Sequence, residues 1–60
     1  MTRKEMITAC VDDQIKRGII NAENRALHIN THLKGKGYVK AMGKTECQKW
    51  YDVVFSGKNE

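Results

Sequence analysis

The strongest folding signal in this sequence is a helical stripe near its end that holds three of the chain's four aromatic residues. Apolar side chains there recur at i, i+3, i+4, i+7 and i+8, at Cys47, Trp50, Tyr51, Val54 and Phe55. Thr45 is followed three residues later by Gln48, which is the spacing of a capping box. The pattern predicts a helix near residues 45–56, with Trp50 largely buried in the core.

A second amphipathic segment occupies residues 2–17. Its apolar face comprises Met6, Ile7, Cys10, Val11 and Ile15. Thr2 and Glu5 have the spacing of a capping box, and Gly18 is suited to end the helix. These signals predict the first helix of the fold.

The third amphipathic segment, near residues 21–34, has a thinner apolar stripe, because two of its four members are alanine. The stripe consists of Ala22, Ala26, Ile29 and Leu33. Asn21 is a favourable N-cap for this helix, and Gly35 and Gly37 end it. We therefore predict an all-α, three-helix domain over residues 1–60, with a frayed tail at 57–60. A glycine- and lysine-rich connection follows at 35–44, in which residues 38–42 can be either one helical turn or an extended segment.

The length and the cysteine content limit the class of protein. A chain of 60 residues buries only about 60% of the surface that it exposes when unfolded, so its core is small. Cys10 and Cys47 lie far apart and form no C-x-x-C pair, which favours a reducing cytoplasm in which both are apolar fillers. The apolar run at 6–11 is too short for a signal peptide or a membrane span. We expect a cytoplasmic protein with no membrane partner.

The net charge of +4 is concentrated in one part of the chain. Residues 34–49 carry five lysines against one glutamate, a local balance of +4. Residues 1–33 contribute +1 and residues 50–60 contribute −1. A local positive field of this kind attracts nucleic acid or an acidic protein face, although a solvated, lysine-rich surface would look the same.

Two arrangements could carry chemistry. His28 and His32 have the i,i+4 spacing of zinc ligands and could be combined with Cys10 and Cys47, but no glutamate follows the first histidine and both cysteines lie in core stripes. Cys47 near a helix start could act as a nucleophile, but the chain is too short to build a substrate pocket. We therefore predict no catalytic residues, no metal and no cofactor, and hence a protein that is not an enzyme.

The lysine-rich region resembles a known module. The sequence from Leu33 through Lys34, Gly35 and Lys36 to Tyr38, followed by 43–47, is similar to the second half of a SAP-type helix–extended–helix module. The resemblance covers residues 33–55 and implies DNA binding by Lys36, Lys40 and Lys44.

The leading hypothesis is a small regulatory protein of bacterial or phage type that binds DNA, as a transcription regulator does. The residues expected to contact nucleic acid are Lys34, Lys36, Tyr38, Lys40, Lys44 and Lys49. The alternative is an adaptor or inhibitor that binds a host protein. The thin core also predicts a homodimer, with Leu27 and Phe55 at the interface between the two copies.

Overall fold

Three α-helices form the all-α fold that the sequence predicts. The computed structural model describes residues 1–57, with α1 at Arg3–Lys16, α2 at Arg25–Lys34 and α3 at Lys44–Ser56. A 3₁₀ turn at Ala22–Asn24 leads into α2. None of these helices is both long enough and apolar enough to cross a membrane. Of the predicted tail at 57–60, only residue 57 is described, as the exposed C-cap of α3.

The first two helical segments begin as their sequences predict. The hydroxyl of Thr2 accepts from the backbone N–H of Glu5 at 3.1 Å, and the Glu5 carboxylate accepts from the N–H of Thr2 at 2.7 Å. These hydrogen bonds hold the pKa of Glu5 below its ordinary value, because they favour the ionised carboxylate. Asn21 accepts from the N–H of Glu23 at 2.9 Å, so it caps the 3₁₀ turn. Gly18, after the end of α1, has a φ of +77°.

Helix α3 begins at Lys44, close to the predicted start, but the predicted capping box of Thr45 and Gln48 is wrong. The N-cap is Gly43, whose N–H donates to the Glu46 carboxylate at 2.9 Å, and the Gln48 side chain instead donates to Asp52 at 2.9 Å. A carboxylate at the third helical position satisfies the cap N–H and also favours the positive end of the helix dipole. The Gln48 side chain is uncharged and does not favour the helix dipole in this way, so Glu46 determines where the helix begins.

Helix α1 lies at the centre of the fold and packs against both α2 and α3. Among residues 1–57, six apolar residues are buried, and four of them belong to α1: Met6, Ile7, Cys10 and Val11. Ile29 is the buried residue of α2, and Cys47 is that of α3. The core is therefore built mainly from one helix, with a single buried residue from each of the others.

Trp50 lies at the side of this core and packs against it, so its predicted burial is confirmed only in part. It is half-buried, and its ring centroid lies 4.9 Å from that of His32 on α2, with the ring planes tilted by 60°. Small Cys47, one helical turn earlier, is the residue that α3 buries completely. The large indole ring therefore covers the side of the core and contacts α2.

The contact between His32 and Trp50 predicts a pH dependence of stability. Burial, and secondarily the neighbouring His28, lowers the pKa of His32 below its ordinary value. The unfolded chain then binds a proton more readily than the folded one, so the contribution to stability is complete above that value and declines as the pH falls below it. Thermal melts at about pH 7.5 and about pH 5.5 should show a lower midpoint at the acidic value.

Two variants test whether His32 causes this pH dependence of stability. His32→Phe keeps an aromatic ring against Trp50 but cannot be protonated, so its midpoint should change less between the two pH values. His28→Gln keeps His32 and should retain most of the change, since burial is the main cause of the lowered pKa of His32. An unaltered pH dependence in His32→Phe would contradict the assignment.

Candidate nucleic-acid interface

The lysine-rich connection begins with a glycine that no other residue can replace without strain. Gly35 ends α2 with φ +80° and ψ 166°, a region of backbone conformation that is almost restricted to glycine. The chain then folds back over this residue, and a Cβ atom placed there would lie 2.6 Å from the carbonyl oxygen of Val39 and 3.0 Å from the backbone nitrogen of Ala41. Glycine thus provides both the backbone conformation and the close approach.

A tight two-residue turn follows at Gly37 and Tyr38. The N–H of Lys36 donates to the carbonyl of Val39 at 2.9 Å, and the N–H of Val39 donates back to the carbonyl of Lys36 at 2.9 Å. Gly37 has φ +60°, and no non-glycine residue in the described part has a positive φ, so the turn matches type II′. The conformation that the sequence left open is therefore extended on both arms of the turn, not helical.

The rest of the connection is tied to α1 and α2 by three hydrogen bonds. The N–H of Met42 donates to the carbonyl of His32 at 2.8 Å. The guanidinium of Arg3 donates through Nε to the carbonyl of Met42 at 2.8 Å and through Nη2 to the carbonyl of Leu33 at 2.7 Å. Arg3 therefore fixes the connection against the end of α2, a role that the sequence analysis missed. Its position in the first turn of α1 was a signal, because the helix dipole disfavours a cation there.

The structure brings most of the predicted nucleic-acid contacts into one stretch of exposed backbone. Lys36, Tyr38 and Lys40 lie on or beside the tight turn, and all three are exposed. Lys34 is the last residue of α2 and Lys44 the first of α3, and both are also exposed, so they mark the two ends of the connection.

Lys49 is separated from this group. It lies five residues after Lys44 on α3, which places the two about 140° apart around the helix axis. Its side chain is exposed. Lys49 therefore adds to the positive charge of the domain but does not share the face of Lys44.

The lysines of this region keep their charge available to a ligand. The ion pairs within residues 1–57 are Arg17 with Asp13 at 3.0 Å and Arg25 with Asp12 at 2.6 Å, both outside the lysine-rich stretch. Pairing with Arg25 lowers the pKa of Asp12. No lysine of the connection forms an ion pair with a carboxylate of the described chain.

The start of α3 is poorly suited to bind a phosphate. The Glu46 carboxylate is held at the cap by the N–H of Gly43, 2.9 Å away. A bound phosphate would lie beside this negative charge. The turn, which carries two lysines and no acidic residue, is the better site for an anion.

Of the residues considered for metal binding and nucleophilic chemistry, the two cysteines lie in the core and one of the two histidines packs against an aromatic ring. Both cysteines are buried, and burial raises the pKa of the Cys10 thiol to about 11, with smaller contributions from Asp13 and Cys47. His32 packs against Trp50. Over the described residues, no three or more histidine, cysteine, aspartate or glutamate side chains are gathered as a metal site would require.

These observations define a small all-α protein whose most exposed feature is a basic turn held rigidly between two helices. No family model, no curated protein and no solved structure matches the chain. The resemblance of residues 33–55 to a SAP-type module stays a prediction.

Proposed function

We propose that this chain is a small, non-enzymatic regulatory protein that acts by binding nucleic acid, with DNA as its target. The observation that carries the proposal is the basic turn at 35–40, where exposed lysines flank an exposed tyrosine on a backbone fixed by hydrogen bonds. Lys36 and Lys40 would contact phosphates, with Lys34 and Lys44 adding charge at the two ends of the connection. A bacterial or phage transcription regulator is the biological setting that this proposal favours.

The salt dependence of binding tests this proposal. Lys36→Gln and Lys40→Gln each remove one cation from the turn, and neither side chain makes a hydrogen bond within the described structure. If each contacts a phosphate, each variant should reduce the slope of log affinity against log salt by about 0.9 on duplex DNA and about 0.7 on a single strand. Fluorescence anisotropy with labelled random-sequence DNA measures both slopes.

Lys16→Gln is the matched control. It removes the same charge from an exposed residue at the far end of α1, about 20 Å along the helix from Arg3 at 1.5 Å per residue. The overall net charge falls equally in all three variants, so a general field effect would lower all three slopes alike. Equal slopes for wild type and the two turn variants would contradict a nucleic-acid site at the turn.

A protein partner is the second candidate function, and exposed apolar side chains support it. Leu27 is 47% exposed, Val53 44% and Phe55 49%. Phe55 also packs against Tyr51, with ring centroids 4.7 Å apart, so its ring is held in place. An adaptor or inhibitor that binds a host protein should yield one tight partner in a pull-down and should not bind random DNA.

The homodimer also stays a prediction, and the small core supports it. With only one buried residue on each of α2 and α3, a second copy that covered Leu27 and Phe55 would increase the apolar area removed from water. Sedimentation equilibrium at micromolar concentration should give twice the chain mass of 6.9 kDa. A mass of one chain throughout the concentration range would contradict the dimer.

A further inference from the structure

Tyr38 is the most exposed aromatic residue of the described chain. Its relative exposure is 105%, compared with 49% for Phe55. The side chain has no packing partner and lies at the tip of the type II′ turn, so both faces of its ring are open. A ring presented in this way is free to stack on a flat ligand.

The two lysines nearest to Tyr38 lie on opposite arms of the turn. Lys36 is two residues before the tyrosine and Lys40 two residues after it, and the bridge between Lys36 and Val39 holds the arms side by side. We propose that the turn binds single-stranded nucleic acid. An unpaired base stacks on the ring of Tyr38, and the phosphates on either side of that base contact Lys36 and Lys40. The inference rests on the proposed function and narrows it to an unpaired strand.

Stacking on Tyr38 distinguishes a single-stranded nucleic acid from a duplex. In a double helix the face of each base is covered by its neighbours, and only the base edges are open in the grooves. A fully exposed ring can use its face only on a base that is not paired and stacked in this way. Helix α3 is less suited to reading a groove, because its first turn presents the Glu46 carboxylate and Gln48 is already bonded to Asp52.

The rigidity of the turn favours such binding. Two backbone hydrogen bonds close the turn, and the Arg3 guanidinium links the Met42 carbonyl of the following segment to the Leu33 carbonyl of α2. The backbone that presents Tyr38 is thus ordered before the ligand arrives. Less conformational entropy is then lost on binding than with a flexible loop.

The experiment compares three labelled probes by fluorescence anisotropy at one low salt concentration: oligothymidine, oligouridine and a random-sequence DNA duplex, each about 16 nucleotides long. Both single strands should bind more tightly than the duplex. Tyr38→Ala should weaken single-strand binding by about 5- to 150-fold with little change in the salt slope, since stacking releases no counterions. Tyr38→Phe keeps the ring and should stay within about twofold of wild type.

Because the Tyr38 side chain packs against nothing, these variants should melt as the wild type does. The inference is overturned if Tyr38→Ala binds single strands as well as wild type, or if the duplex is bound more tightly than both single strands. In either case weaker binding by Lys36→Gln and Lys40→Gln would leave the proposed function standing. Failure of all three probes to bind the wild type would overturn the proposed function itself.

Discussion

Replacing Ile7 with alanine is expected to lower the free energy of unfolding by about 3–4 kcal/mol. Ile7 is fully buried at the centre of α1 and belongs to the core cluster with Met6, Val11, Ile29 and Cys47. Loss of its larger side chain removes apolar contacts and leaves a cavity that the surrounding helices fill only in part. A single core in so small a domain rarely provides more than about 3–5 kcal/mol, so this variant should be largely unfolded at physiological temperature. Urea titration followed by far-UV circular dichroism measures the loss.

Ile19→Ala is the control for this prediction. It is the same chemical change at a residue that is 59% exposed, and it should cost about 0.5 kcal/mol or less. Ile7 lies in α1 and Ile19 does not, so the helical preference for alanine favours only the Ile7 variant and cannot explain its larger loss. If the two variants unfolded at the same urea concentration, the core would not be centred on α1.

The helices could be predicted from sequence because their signals are local. The apolar face of α1 recurs with the helical period, and Thr2 lies three residues before the glutamate that completes its capping box. Gly18 and Gly35 each adopt a positive φ at the end of a helical segment, as their positions in the sequence indicate. Each of these features depends on residues only a few positions apart.

Contacts between distant residues could not be predicted in this way. Arg3 reaches the carbonyl of Met42, and Asp12 pairs with Arg25, but nothing in the local pattern pairs these residues. The cap of α3 was misassigned for a related reason. Two N-cap positions compete there, and the hydrogen bond and charge of Glu46 give the earlier one, Gly43, the advantage.

The sequence predicts which residues form the candidate site but not the backbone conformation that arranges them. The concentration of lysines at 34–49 is visible in the sequence, whereas the type II′ turn that isolates Tyr38 depends on how Gly35 packs beneath Val39. The separation of Lys49 from Lys44 became clear only when the first residue of α3 was known. The charge of this region can be counted from the sequence, but the exposure of the Tyr38 ring depends on the conformation of the backbone.

Gly35→Ala is expected to cost about 3 kcal/mol of stability, from two causes. With φ +80° and ψ 166°, the backbone lies where an alanine is strained by about 1–3 kcal/mol. The new Cβ would also lie 2.6 Å from the Val39 carbonyl oxygen, and this backbone atom cannot move without breaking its bond to the N–H of Lys36. Denaturant unfolding measures the loss, and amide hydrogen exchange at Lys36 and Val39 shows whether the turn has opened.

Gly37→Ala separates the two causes within the same turn. Gly37 also has a positive φ, +60°, but a Cβ added there would meet no atom within 4 Å. Its substitution should therefore carry the backbone strain alone and cost about 1–2 kcal/mol, with the bridge between Lys36 and Val39 retained. Because the chemical change is identical, the difference between the two losses of stability measures the cost of the close contact between Val39 and the end of α2. Equal losses in the two variants would mean that the turn does not fold back over Gly35, and that Tyr38 is not held rigidly at its tip.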